Sequence, residues 1–71
     1  MKGFRYLVDS KSTRICAAFA AKKGISTERA MELFFASATY RALNNPETGL
    51  YLEVFEFVND MFLEEMAETL Q

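Results

Sequence analysis

The sequence predicts an all-α protein of about three helices, folded as a single small domain over residues 1–71. Three observations carry that prediction. Apolar residues recur at helical spacing through most of the chain. Two clusters of turn residues, Lys23-Gly24-Ile25-Ser26 and Asn44-Asn45-Pro46-Glu47-Thr48-Gly49, cut it into helix-length pieces. The composition, 51% hydrophobic and 14% aromatic, is too apolar for a disordered chain.

Helix one is expected from about Ser10 to Lys23. Ile15 and Phe19 share a face, and Ala17, Ala18, Ala20 and Ala21 raise helix propensity. Residues 4–8 allow two readings. As a strand they would put Phe4, Tyr6 and Val8 on one side. As helix, Phe4, Val8, Ile15 and Phe19 fall in one narrow angular sector. Asp9-Ser10 has the look of a cap, which favours a separate N-terminal element, a short strand being the alternative to helix.

Gly24 suits the left-handed residue that ends a helix, and Ser26 is a good N-cap for the next. Helix two is expected from Ser26 to about Leu43, with Ala30, Phe34 and Ala38 in one stripe. Leu33, Ala36, Tyr40 and Leu43 lie off it, so apolar groups occupy more than one side. In the second turn Asn45 opens, Pro46 fixes φ, and Gly49 permits the exit.

Helix three is expected from about Tyr51 to Leu70, although Leu50–Val54 could be briefly extended. Val54, Phe55, Val58, Met61, Phe62 and Met66 form its stripe, with Phe57 and Leu63 at the edges. The apolar arc covers about two-thirds of the circumference, wider than the ~100° stripe of an ordinary surface helix. A chain of 71 residues has few elements with which to cover so wide an arc.

The small size has a second consequence. Domains this short gain stability from disulfides, metals or oligomerisation. Cys16 is the only cysteine and there is no histidine, which removes an internal disulfide and argues against zinc. A partner protein or a homodimer is therefore expected. Cys16 itself reads as a small buried hydrophobe. No stretch approaches the ~20 apolar residues that span a bilayer. Met1-Lys2-Gly3-Phe4-Arg5 lacks the apolar core of a signal peptide, so a cytoplasmic, membrane-free setting is expected.

Charge is unevenly placed. Residues 1–43 carry eight Lys and Arg against Asp9, Glu28 and Glu32, a balance of +5. Residues 44–71 carry seven Asp and Glu and no Lys or Arg, a balance of −7. A basic half can meet nucleic acid and an acidic half a basic protein; alternatively, the halves attract each other in a dimer.

Catalysis has little to stand on. The usual base near neutral pH, histidine, is missing. The carboxylates Glu53, Glu56, Glu64 and Glu65 recur on a helical face and read as solvated surface; Glu65 lies nearer the apolar arc, a position open to a shifted pKa. Gly3, Gly24 and Gly49 are too far apart for a phosphate loop. No enzyme activity, cofactor or metal is expected.

Residues 20–33 have the look of a helix-turn-helix, with Gly24-Ile25-Ser26 at the turn and Ala30 and Leu33 facing inward. The would-be recognition helix opens on Thr27, Glu28 and Arg29, and a glutamate there repels phosphate. Residues 4–43 also resemble ribbon-helix-helix antitoxins. The resemblance implies a strand over Phe4–Val8 that pairs across a dimer, with Arg5 entering the major groove and Lys2 near the backbone. Leu7 would face the groove as well.

A further resemblance covers residues 18–66. It rests on Gly24-Ile25-Ser26, Ala30 with Leu33-Phe34, Ser37 with Thr39-Tyr40, and Asn45-Pro46-Glu47-Thr48-Gly49-Leu50-Tyr51. These residues resemble a poorly characterised family of short bacterial helical proteins. Some members of related families lie beside ADP-ribosyltransferase-like proteins in operons, which implies an antitoxin-like or accessory role.

The expected function is thus a small protein-binding module, antitoxin-like or an accessory partner. Its interface would lie on the last helix at Val54, Phe57, Val58, Met61 and Phe62. One alternative is a DNA-binding regulator contacting nucleic acid through Lys2, Arg5, Lys11 and Arg14. The other is a structural homo-oligomer with no further activity.

Overall fold

The computed structural model describes residues 2–69, with side chains from Gly3 onward. Four α-helices follow one another: α1 (Lys2–Lys23), α2 (Thr27–Phe35), α3 (Ala38–Leu43) and α4 (Phe55–Thr69). Two short 3-10 turns, Pro46–Thr48 and Leu50–Leu52, connect α3 to α4. The all-α class is as the sequence predicts, and there is no strand among the described residues.

Residues 4–8 belong to α1, which corrects the expected boundary at Ser10 and removes the N-terminal strand. The polar residues after Val8 are accommodated inside the helix. Ser12 Oγ donates to the Val8 carbonyl at 2.7 Å and Thr13 Oγ1 to the Asp9 carbonyl at 3.0 Å. Asp9 pairs with Arg5 one turn back, at 3.4 Å, so it stabilises a continuing helix instead of capping a new one. Val8, Ile15 and Phe19 are fully or almost fully buried along one face. At ~1.5 Å per residue, 22 residues make a rod of about 33 Å, which sets the 35 Å long dimension of the molecule.

Gly24, at φ 67°, ends α1 in the left-handed region. The Ile25 N–H then reaches back to the Ala20 carbonyl at 3.1 Å, the longer of the two bonds of a Schellman stop. Lys22 and Lys23 sit in the last turn, where the helix dipole favours cations. Ser26 caps α2 by accepting from the Arg29 N–H at 3.0 Å. The helix then doubles back along α1.

The second expected helix is two. α2 stops at Phe35, and Ser37 restarts the chain as the N-cap of α3. Ser37 Oγ accepts from the Tyr40 N–H at 3.0 Å and donates to the Phe34 carbonyl at 2.5 Å, serving the end of one helix and the start of the next. The break explains the apolar residues on several sides. α2 buries Ala30 and Phe34, α3 buries Thr39 and Leu43, and Ala38 is exposed.

The Asn45–Gly49 turn is built as the sequence predicts. Asn45 Oδ1 accepts from the Glu47 N–H, Pro46 opens a 3-10 turn, and Gly49 leaves it at φ 70°. Residues 50–52 form a second 3-10 turn, so the last helix begins at Phe55 and not Tyr51. Its expected end at Leu70 lies outside the described residues.

Phe62 closes the core. Its ring meets Phe19 of α1 at 4.9 Å and Phe34 of α2 at 5.0 Å, both edge to face. Tyr51 meets Phe4, Phe55 lies under Arg14, and Phe62 meets Phe19, so the contacts climb α1 and the last segment in the same direction.

Candidate partner-binding face

The segment that enters α4 is pinned to α1 at alternate points. Tyr51 packs edge to face on Phe4 at 4.8 Å, and its carbonyl accepts from Lys11 Nζ at 2.9 Å. Arg14 lays its guanidinium over the Phe55 ring, 4.2 Å from the centroid. With Tyr51 and Phe55 turned inward, Leu52, Val54 and Phe57 point away from the body. They are 67%, 64% and 51% exposed. Glu53, Glu56 and Asp60 are exposed beside them. The ion pairs among the described residues are Arg5–Asp9 and Arg29–Glu32, so none involves these three carboxylates.

The expected interface on the last helix therefore divides. Val54 and Phe57 lie open to a partner. Val58 and Phe62 do not, because both are fully buried in the core, where Phe62 packs on Phe19 of α1 and Phe34 of α2. Met61 is half-buried at the core edge, lining a shallow depression with Thr39 and Glu65. Leu52, which the helical wheel left out, joins the exposed set because it precedes the helix.

The basic residues expected on nucleic acid are spent largely inside the fold. Arg5 donates to Asn44 Oδ1 at 2.8 Å and pairs with Asp9. Lys11 holds the Tyr51 carbonyl and Arg14 covers Phe55. Lys2 opens α1, but its side chain lies outside the described residues. In the helix-turn-helix stretch, Arg29 pairs with Glu32 at 3.5 Å. The strand on which the ribbon-helix-helix arrangement depends is helix here.

Glu65 is the carboxylate with a built environment. Its Oε2 accepts from the Ala38 N–H at 2.7 Å, and its Oε1 from the Thr39 N–H at 2.9 Å and the Thr39 hydroxyl at 2.7 Å. Partial burial pushes the carboxyl up, but the Thr39 hydroxyl, the two amides and the charge of Arg41 outweigh it and hold the pKa below the usual range.

The sequence did not flag a groove of about 310 Å³ between α1 and α2. Met31 and Phe35, four residues apart on α2 and both exposed, form one wall, with Cys16 at its base. Cys16 is 2% exposed, and burial pushes its thiol up, so it is neutral at physiological pH and a poor nucleophile. Among the described residues there is no cluster of three metal-ligating side chains, and no helix is long and apolar enough to cross a membrane.

Compared with models of protein families, with curated proteins and with solved structures, the chain matches none.

Proposed function

We propose that this chain is a small non-catalytic binding module that docks a protein through the apolar end formed by Leu52, Val54 and Phe57. One observation carries it. Three large apolar side chains within six residues stand more than half exposed, on a segment held in place by Tyr51 and Phe55. Covering them is favourable at roughly 25 cal/mol per Å² of apolar surface removed from water. Clustered exposure of this kind marks interaction surfaces. Glu53, Glu56 and Asp60 on the rim favour a basic partner and disfavour acidic ones. An antitoxin-like or accessory role in the cytoplasm, where a lone thiol stays reduced, fits this mode of action.

Nucleic-acid binding has less support, because Arg5, Lys11 and Arg14 are engaged within the fold. The test is affinity capture of the tagged chain co-expressed with the products of neighbouring genes, for wild type and Phe57→Asp. The substitution is expected to abolish capture while leaving the helical circular dichroism unchanged. Capture that survives Phe57→Asp overturns the assignment of this face.

A further inference from the structure

We propose that the occupant of this face is the opposite end of a second copy of the chain, seated head to tail; the proposal rests on the reading of Leu52, Val54 and Phe57 as a docking face. At the turn between α1 and α2, Phe19, Ile25 and Leu33 floor a dent of about 220 Å³ whose rim carries Lys23 and Arg29. Its volume is of the order of the ~150 Å³ engineered cavity in which a protein holds benzene, a size that suits one aromatic side chain. Lys23 Nζ stands 6.0 Å from the Phe19 centroid. Arg29 is shared with Glu32, but Lys23 has no acidic partner among the described residues, and the rim stays positive.

The complement to an apolar dent with a basic rim is an apolar knob with an acidic rim. Phe57 with Glu53 and Glu56 is that knob. The two cannot meet within one chain. The knob is tied to the first two-thirds of α1 through Phe4, Lys11 and Arg14, whereas the dent begins at the end of α1. Nine residues of helix from Arg14 to Lys23 separate the anchor from the rim by about 14 Å. Contact between copies uses two different patches, so it is heterologous and builds rings or short filaments, not a two-fold dimer. A contact of one aromatic and a few charges is small, hence weak, and its charged rim makes it salt-sensitive.

The experiment is sedimentation velocity over a range of protein and salt concentrations. The average mass of wild type is expected to rise above the 8.1 kDa monomer with concentration and to fall back in high salt. Lys23→Glu with Arg29→Glu reverses the dent, and Glu53→Lys with Glu56→Lys reverses the knob. Each double variant alone is expected to be monomeric. Their mixture is expected to associate again, because the native knob of the first meets the native dent of the second and the reversed knob of the second meets the reversed dent of the first. Phe57→Ala, which changes no charge, is expected to weaken wild-type association about tenfold. A monomeric wild type, or a mixture that stays monomeric, overturns the proposal. A monomeric wild type that still captures a different protein through Phe57 removes the self-contact and leaves the docking face standing. Association and capture that are both indifferent to Phe57 remove both.

Discussion

Glu65, on α4, caps α3. Its carboxylate takes the Ala38 and Thr39 amides and the Thr39 hydroxyl from a helix of six residues that has Ser37 as its own cap. A helix this short has almost no stability of its own, so its packing and its caps decide whether it forms.

Glu65→Ala is expected to cost about 1–2 kcal/mol in urea unfolding, in the range of lost N-caps, and Glu65→Gln less, since its amide oxygen can still accept. The pH dependence has a definite sign. The folded pKa is lowered from the usual 4.5, so the carboxylate's contribution is fully present above pH ~4.5 and is lost as pH falls through the folded value. The stability gap between wild type and Glu65→Gln should be constant near neutrality and close in acid. A gap that widens in acid contradicts the assignment.

Ser37→Ala removes a cap and leaves the buried hydroxyl's partner, the Phe34 carbonyl, without it. A loss of about 1–2 kcal/mol is expected, read from the shift in denaturant midpoint at unchanged m-value. A shift below a few tenths would mean that Glu65 alone holds the joint.

Gly24→Ala should cost about 1 kcal/mol for backbone reasons only. A Cβ there meets nothing within 4 Å, but φ 67° disfavours it. Gly24→Asn is expected to recover part of the loss, because asparagine tolerates the left-handed region. Thermal melts of the two variants measure the difference.

Phe62→Ala and Phe57→Ala should separate cleanly although the residues lie five apart on one helix. Phe62 is fully buried between two aromatic rings, and its truncation should cost about 3–5 kcal/mol, enough to unfold a marginal domain. Phe57 is half exposed, and its truncation should stay within about 0.5 kcal/mol. A thiol reagent supplies an internal control. Cys16 should label only as fast as the protein opens, and faster in Phe62→Ala.

Much of this was legible in the sequence wherever local chemistry decided the outcome. Gly24, Ser26, Asn45, Pro46 and Gly49 act where turn and cap preferences put them. Most of the errors arise where distant residues decide, the boundary at Asp9-Ser10 being the local exception. Ser37 breaks a helix because Glu65, 28 positions on, supplies amide partners that a local pattern does not contain. Asp9-Ser10 resembles a cap, yet Arg5 and the face shared by Val8 and Ile15 carry the helix through it. Of the expected interface, the wheel could show that Val54, Phe57, Val58 and Phe62 were apolar. It could not show that the fold buries Val58 and Phe62 completely while leaving Val54 and Phe57 open. The basic residues looked free because their partners, the Tyr51 carbonyl and the Phe55 ring, lie about 40 positions away.

The placement of the Phe62 ring between Phe19 and Phe34 bears on the order of assembly. α1 and α2 are joined by three residues and can pair early, since closing a short loop costs little entropy. On that order α4 docks after the hairpin, which supplies the two aromatic walls around Phe62. Shortening Phe62 should therefore leave the folding rate nearly unchanged and speed unfolding, the mark of a contact formed after the barrier. A domain assembled in this sequence has a brief life with two phenylalanine rings bare, and the acidic last third of the chain is what shields them.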